Sequence, residues 1–241
     1  TIGLFFFMHQ EPSGVWIMSY TNGLDNPKLY FNTVQYTGNK PTGQSVTGVG
    51  FQPDLYWSKN TPNTGYNYAL IDSVRGVSKI LSSNNNASEI TSTDSLTSFD
   101  SDGFTLGADA NGYVNQNPDN HVAWCWVKSA TAGFDIVTAT GTGSAKTISH
   151  SLSAVPHWII SKEKTGSVND WVVYHHKNTS APETDKIILN EANATSDDSC
   201  WNDTTPTSSV FSVSGASVVN RNSSTYVYYL WSEKKGFSKF G

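Results

Sequence analysis

The apolar positions of this chain fall in short runs. Leu4-Phe5-Phe6-Phe7-Met8, Val15-Trp16-Ile17-Met18, Val122-Ala123-Trp124-Cys125-Trp126, Trp171-Val172-Val173-Tyr174 and Val227-Tyr228-Tyr229-Leu230-Trp231 are all strand-sized. They are rich in the β-branched and aromatic residues that fit a pleated surface. Clusters of Gly, Asn, Asp, Pro and Ser separate them at a spacing of roughly 8–15 residues, the signature of a sandwich or barrel. Asp102-Gly103 and Asn111-Gly112 predict hairpin turns, and Asn22-Gly23 and Thr37-Gly38-Asn39 predict further turns. The best helix candidate, Asp72-Ser73-Val74-Arg75-Gly76, is long enough for one turn. The longest apolar run, residues 4–8, falls far short of the roughly 18 residues of a membrane span.

The runs recur in order. Phe31, Val34 and Gly38 align with Phe134, Val137 and Gly141 at an offset of about 103 residues. The same offset places Pro53-Asp54-Leu55-Tyr56-Trp57-Ser58-Lys59 on Pro156-His157-Trp158-Ile159-Ile160-Ser161-Lys162, and Tyr68 on Trp171. After a small drift, Gly103-Phe104-Thr105-Leu106 meets Val210-Phe211-Ser212-Val213, and residues 122–126 meet residues 227–231. Residues 4–8, 15–18 and 28–32 read as three strands of a partial further copy, matching 158–160, 171–174 and 186–190. The expected fold is all-β: tandem β-sandwich, jelly-roll-like repeats over 34–130 and 131–241, with a partial N-terminal copy over 1–33. A chain that starts partway through a repeated unit reads as a segment of a longer array.

Composition narrows the function classes. Of the residues, 15 % are charged and 12 % aromatic, and about a third are Ser, Thr or Asn. That excludes a coiled coil or a disordered polyelectrolyte. The net charge is −5, with only 15 Lys and Arg spread thinly, so no basic stripe is offered to nucleic acid. Two cysteines, Cys125 and Cys200, do not make a disulfide framework and read as free thiols.

Candidate chemistry is sparse. His175 and His176 are adjacent, whereas a metal pair on one strand needs a spacing of two. No nucleophile elbow and no pair of carboxylates for glycoside hydrolysis stands out. The Asp100-Ser101-Asp102-Gly103 stretch lacks the later ligands of a calcium loop and reads as a turn. No catalytic residue, metal ligand or cofactor is assigned. Three ligand-binding candidates remain. Asp72 and Arg75 read either as a local ion pair or as a ligand-facing arginine for an anionic sugar. Trp201, in a polar stretch, is the tryptophan expected to be exposed. The others read as core, with Trp124 and Trp126 on one sheet face and Cys125 on the other.

Several blocks carry a family resemblance. They are Tyr36-Thr37-Gly38-Asn39, residues 47–55, Asp72-Ser73-Val74-Arg75-Gly76, Leu81-Ser82-Ser83-Asn84, residues 96–107, residues 122–126, Trp201-Asn202, residues 206–212 and the closing Gly236-Phe237-Ser238-Lys239-Phe240-Gly241. As a set they resemble a domain family encoded by tailed bacteriophages, especially phages of marine bacteria, over about residues 31–241. The resemblance implies a virion or tail-associated structural protein and brings no catalytic residue with it. The expectation is a non-enzymatic bacteriophage virion protein, displayed on the particle surface as a tail fibre, adhesin or capsid decoration. Its expected partners are itself, as a homo-oligomer, other virion proteins and a host-surface glycan, with no nucleic acid and no membrane insertion. The alternatives are a host-glycan depolymerase or glycosidase, and a carbohydrate-binding adhesin of a bacterial surface protein.

Overall fold

The computed structural model describes the backbone of residues 7–10 and 16–19, and the chain from 23 to 241 except residue 167. Among the described residues strand makes up 38 % and helix 6 %, so the fold is nearly all-β in class. The strands in chain order are β1 (Phe7–Gln10), β2 (Trp16–Ser19), β3 (Phe31–Thr37), β4 (Gln44–Thr47), β5 (Leu55–Asn60), β6 (Ala69–Asp72), β7 (Lys79–Ile80), β8 (Ile90–Thr91), β9 (Leu96–Asp100) and β10 (Gly103–Leu106). They continue with β11 (Asn120–Trp126), β12 (Phe134–Thr140), β13 (Lys146–Ser149), β14 (Trp158–Glu163), β15 (Val172–His175), β16 (Asp185–Ile188), β17 (Ser196–Asp197), β18 (Val210–Val213) and β19 (Thr225–Trp231). A single helical turn, α1 (Ser217–Asn220), precedes β19.

Every pairing is antiparallel. In the first half a sheet ordered β3-β11-β5-β6 faces a sheet ordered β4-β10-β9. In the second half a sheet ordered β12-β19-β14-β15-β16-β17 faces the pair β13-β18. Each large sheet thus begins first strand, last strand, third strand, fourth strand. The same close approach recurs in both halves. A side chain on Gly38 would lie 2.0 Å from the Gln116 carbonyl oxygen, and one on Gly141 would lie 2.0 Å from that of Arg221. Only glycine lets the backbones cross there.

Three cores separate the four layers. Tyr56, Ile71, Ala123 and Cys125 fill the first-half core together with Phe104 and Leu106. Ile159, Tyr226, Tyr228 and Leu230 fill the second with Phe211, Val213 and Trp201. The third core lies between the halves. The large sheets pack face to face through Leu55, Leu70 and Trp126 on one side and Phe134, Ile160, Val227, Tyr229 and Trp231 on the other. Period-two alternation explains the division. Along β19, residues 226, 228 and 230 point into the second-half core, while 227, 229 and 231 point into the junction.

The structure corrects several local expectations. The expected strand over 28–32 is instead a 3₁₀ turn at Pro27–Leu29, with β3 starting at Phe31. Pro27 fixes its own backbone and the Asn26 side chain accepts a hydrogen bond from Lys28 N, which favours a turn over extension. Of the other two expected N-terminal strands, residues 7–8 and 16–18 fall in the β1–β2 pair, while residues 4–6 and 15 lie outside the described part. The turn expected at Asn22-Gly23 also begins outside it. Asn111-Gly112 belongs to the loop between β10 and β11 rather than to a hairpin. Asp102-Gly103 does close the β9–β10 hairpin, where Gly103 pairs with Asp100 and takes φ of 150°. Residues 72–76 form one turn, closed by Gly76 N donating to Asp72 O at 2.9 Å.

Candidate functional site

The three ligand-binding candidates lie inside the protein. Asp72 ends β6 and is fully buried, and the Arg75 side chain is 1 % exposed. The turn puts them together. The Asp72 carboxylate accepts from Val74 N and Arg75 N and receives the Arg75 Nε at 2.5 Å. The guanidinium also donates to Glu89 Oε2 and to the Leu70 carbonyl, both at 2.9 Å. From the second half, the Tyr229 hydroxyl donates to Asp72 Oδ2 at 2.8 Å. Burial pulls against the charge on Arg75, but Tyr229, Asp72 and Glu89 outweigh it and raise its pKa. The same desolvation drives the Tyr229 hydroxyl well above its ordinary range, so it stays a donor. Arg75 therefore faces protein, not a ligand: the turn is an electrostatic clasp across the junction.

Trp201 is 1 % exposed and packs edge-on against Tyr174, with ring centroids 5.9 Å apart. The expectation of exposure fails because Asp198 caps a 3₁₀ turn, accepting from Cys200 N at 3.0 Å, and so rotates Cys200 and Trp201 inward. Both cysteines are free and buried, and burial pushes the Cys125 thiol up to about 12.

An apolar cavity lies at the rim of the junction, where both large sheets end. A cavity of about 310 Å³ is lined by Phe31, Trp126, Phe134, Trp158 and Trp231, together with Pro27, Ala132 and the C-terminal segment. Trp158 stacks on Trp231 with centroids 4.5 Å apart, and Phe134 lies 4.9 Å from Trp231. Phe237 and Phe240 supply one wall. This segment is pinned from below: His176 Nε2 lies 2.6 Å from the Phe240 carbonyl oxygen, and Phe240 N donates to Glu233 Oε1 at 2.9 Å. Glu233 N in turn donates to His157 Nδ1 at 2.9 Å. The rings of His157 and His176 are 4.4 Å apart, with His175 next to His176. Burial, then the charge His176 would carry, holds His157 and His175 below their usual range. Sequence spacing did not bring these three histidines together, because His157 precedes β14, while His175 ends β15 and His176 follows it. Such a site offers aromatic surface and almost no polar contact.

The polar residues that organise each half also escaped the sequence reading. Asn115 and Asn220 are fully buried, and each amide ties loops together. Asn115 donates to the Thr42 and Gly107 carbonyls and accepts from Asn39 N, while Asn220 donates to the Ser144 and Ser214 carbonyls and accepts from Thr142 N. The signal was available in the alignment of 103–106 on 210–213 and 122–126 on 227–231, which brackets the two asparagines. Buried Asp109 accepts from Ser95 Oγ and from three successive backbone amides, 113 to 115. Glu163, fully buried, takes the Asn169 amide and lies 3.3 Å from Arg221 Nε. Among the described residues no group of three or more His, Cys, Asp or Glu is placed to hold a metal ion. Among them, too, no helix is long and apolar enough to cross a membrane.

No curated protein and no solved structure matches this chain. A family of domains of unknown function, DUF7483, matches residues 26–241, which takes in all four layers and the clasp between them. The chain belongs to the DUF7483 family.

Proposed function

We propose that this chain is a non-enzymatic structural protein of a bacteriophage virion, displayed on the particle as part of a tail fibre, adhesin or capsid decoration. Its architecture in this reading is two tandem β-sandwich units of jelly-roll type, with a partial copy before them. The first unit opens at Phe31, a few residues earlier than the spacing suggested, since a boundary between 33 and 34 would cut β3. Recurrent strand order, the Gly38 and Gly141 crossings and the Asn115 and Asn220 ties support the tandem reading.

The observation that carries the functional reading is the junction. Two large sheets give up their outer faces to one another, and the buried Asp72–Arg75–Glu89 cluster of one half holds the Tyr229 hydroxyl of the other. That makes a stiff module rather than two hinged domains, as a displayed load-bearing part needs. The buried carboxylates at 72, 109 and 163 are directed at cations, amides or hydroxyls of the chain itself. A glycosidase would instead aim a pair of them across an open cleft. Expected partners are further copies of the chain and other virion proteins, with the aromatic rim as the apolar surface such contacts can use.

The test is immunogold labelling of intact purified particles with an antibody raised against residues 23–241. Regular label on tail or capsid is expected. Protein that is abundant in the lysate but absent from particles would overturn the reading. Sedimentation of the isolated chain above 26.3 kDa is the expected sign of self-association.

A further inference from the structure

The residues singled out in the sequence as ligand candidates are buried, yet the first half holds a cleft that nothing above accounts for. It lies between loop 65–68, before β6, and loop 111–113, and is lined by Tyr66, Asn67, Tyr68, Ser82, Asn111 and Tyr113. Its volume is about 100 Å³. That is below the roughly 300 Å³ where ligand pockets usually begin, so it has room for one ring and not for a chain.

Tyr68 is the informative residue. It stands one position before Ala69, which pairs with Ser58, just as Trp171 stands one position before Val172, which pairs with Ser161. Trp171 is fully buried in the junction, and its Nε1 donates to the Ser82 and Asn85 carbonyls. Packing explains that aromatic. Tyr68 has no such cover and is half-buried, beside half-buried Tyr66 and exposed Asn67 and Asn111. An aromatic cluster kept at the surface points to a contact outside the chain.

The walls are held in place before any ligand arrives. Lys59 Nζ donates to the Tyr66 carbonyl at 2.5 Å and sits 5.0 Å from the centre of the Tyr68 ring. Asn84 accepts from Tyr68 N and donates to Asn67 Oδ1, both at 2.9 Å. On the other wall, Gly112 takes φ of 73° and donates to the Asp109 carbonyl, while Tyr113 N donates to the Asp109 carboxylate. Such pre-organisation lowers the entropy lost on binding. Tyrosine, serine, glycine and asparagine together are also the residues that recognition loops favour.

We propose that this cleft binds a single neutral pyranose ring, its C–H face on the tyrosines and its hydroxyls on the Asn67 and Asn111 amides. The lining side chains carry no formal charge, and the neighbouring Lys59 ammonium is engaged by the Tyr66 carbonyl and the Tyr68 ring, which disfavours an anionic ligand. A purely apolar ligand would desolvate the amides without replacing their hydrogen bonds. The Asn67 oxygen is already used by Asn84, so its NH₂ is what remains to offer. A sugar ring supplies both an apolar face and hydroxyl acceptors. Attachment to a host glycan would rest on the virion reading above; the binding chemistry does not.

The experiment is saturation-transfer NMR on the chain with millimolar methyl glycosides of glucose, galactose, mannose and N-acetylglucosamine. Transfer to the ring C–H protons of at least one is expected. Tyr66→Ala and Asn111→Ala should each weaken binding about tenfold or more, while Trp158→Ala, in the rim cavity, should leave it unchanged. Thermal unfolding of each variant verifies that it is folded, and Tyr66→Phe, which keeps the ring, should retain most of the transfer. Absence of transfer from all four probes overturns the proposal. So does transfer that survives both alanine variants. Neither result depends on whether the chain is found on a particle.

Discussion

Replacing Arg75 by methionine keeps most of the side-chain volume and removes the cation. The buried Asp72 carboxylate and the Glu89 carboxylate then face each other without their shared counter-ion, while the Leu70 carbonyl loses the guanidinium but keeps Leu81 N as its donor. Breaking a buried pair from one side costs about 3–5 kcal/mol. Asp72 keeps two backbone amides and the Tyr229 hydroxyl, which soften the loss. The expected destabilisation is therefore about 3–4 kcal/mol, a large share of the roughly 5–15 kcal/mol that holds a domain folded. Urea unfolding followed by tryptophan fluorescence measures it. Because the clasp joins the halves, the single transition of the parent should broaden or split in Arg75→Met. Tyr229→Phe tests the same junction from the other side, with an expected loss of about 1.5–3 kcal/mol for a hydrogen bond to a charged group. Combined with Asp72→Asn it should be non-additive, since both changes remove one interaction. A loss below about 1 kcal/mol for Arg75→Met, with one sharp transition, would refute the reasoning.

Three further outcomes follow from buried polar groups. Lys162 is fully buried, donates to the Asn86 and Asn169 carbonyls, and has its pKa pulled down to about 8 by burial. The unfolded lysine, near 10.4, holds its proton across a window where the folded one has released it, so stability should rise with pH from about 8 to about 10; Lys162→Met should flatten that slope, and an unchanged slope would count against the assignment. His157 and His175 are held below the ordinary histidine range, so their neutral forms favour the folded state above about pH 6.5 and that contribution is lost on acidification. Binding of an apolar dye at the aromatic rim should increase between pH 7.5 and 5 as residues 236–241 loosen, and His157→Gln should reduce the change. Asn115→Ala takes the amide donor from the Thr42 and Gly107 carbonyls and Asn220→Ala takes it from the Ser214 carbonyl, while Ser144 keeps the Thr142 hydroxyl, at about 1–3 kcal/mol for each carbonyl left without a donor; calorimetry showing either variant as stable as the parent would contradict their role as loop ties.

The fold class was legible because most strands keep one period throughout. Val122-Ala123-Trp124-Cys125-Trp126 alternates cleanly, and the structure puts Ala123 and Cys125 in one core and Trp126 against another. Where local chemistry competes with the period, the reading failed. Asn26-Pro27 turned an apparent strand into a 3₁₀ turn, and the Asp198 cap carried Trp201 inward from a polar neighbourhood. The Asp72–Arg75 spacing revealed an ion pair, but not its burial. That depends on Glu89 and Tyr229, which lie 14 and 157 residues from their partners. Long-range contacts of this kind leave no trace in a local window. The Tyr66–Tyr113 cleft went unseen for the same reason, since two loops 40-odd residues apart in chain order form it.

The charge-poor, aromatic-rich composition has a physical cause in the shared face. A sheet with one solvated side needs polar residues at alternate positions, whereas β19 is sandwiched on both sides and carries Tyr226, Val227, Tyr228, Tyr229, Leu230 and Trp231 without a break. Tyrosine serves there better than phenylalanine because three layers leave backbone and carboxylate acceptors within reach. Tyr226 donates to the Ser217 carbonyl, Tyr228 to the Val219 carbonyl, and Tyr229 to Asp72. The first two hydroxyls tie β19 to α1 beside the second core, and the third ties it to the other half of the chain. The strand that lines the second-half core is thus also the strand that fastens the two halves. A lysine or glutamate along it would have no water to reach and would need a buried partner, as Lys162 and Glu163 have on the neighbouring β14, so a strand covered on both sides favours apolar residues and tyrosine over charge.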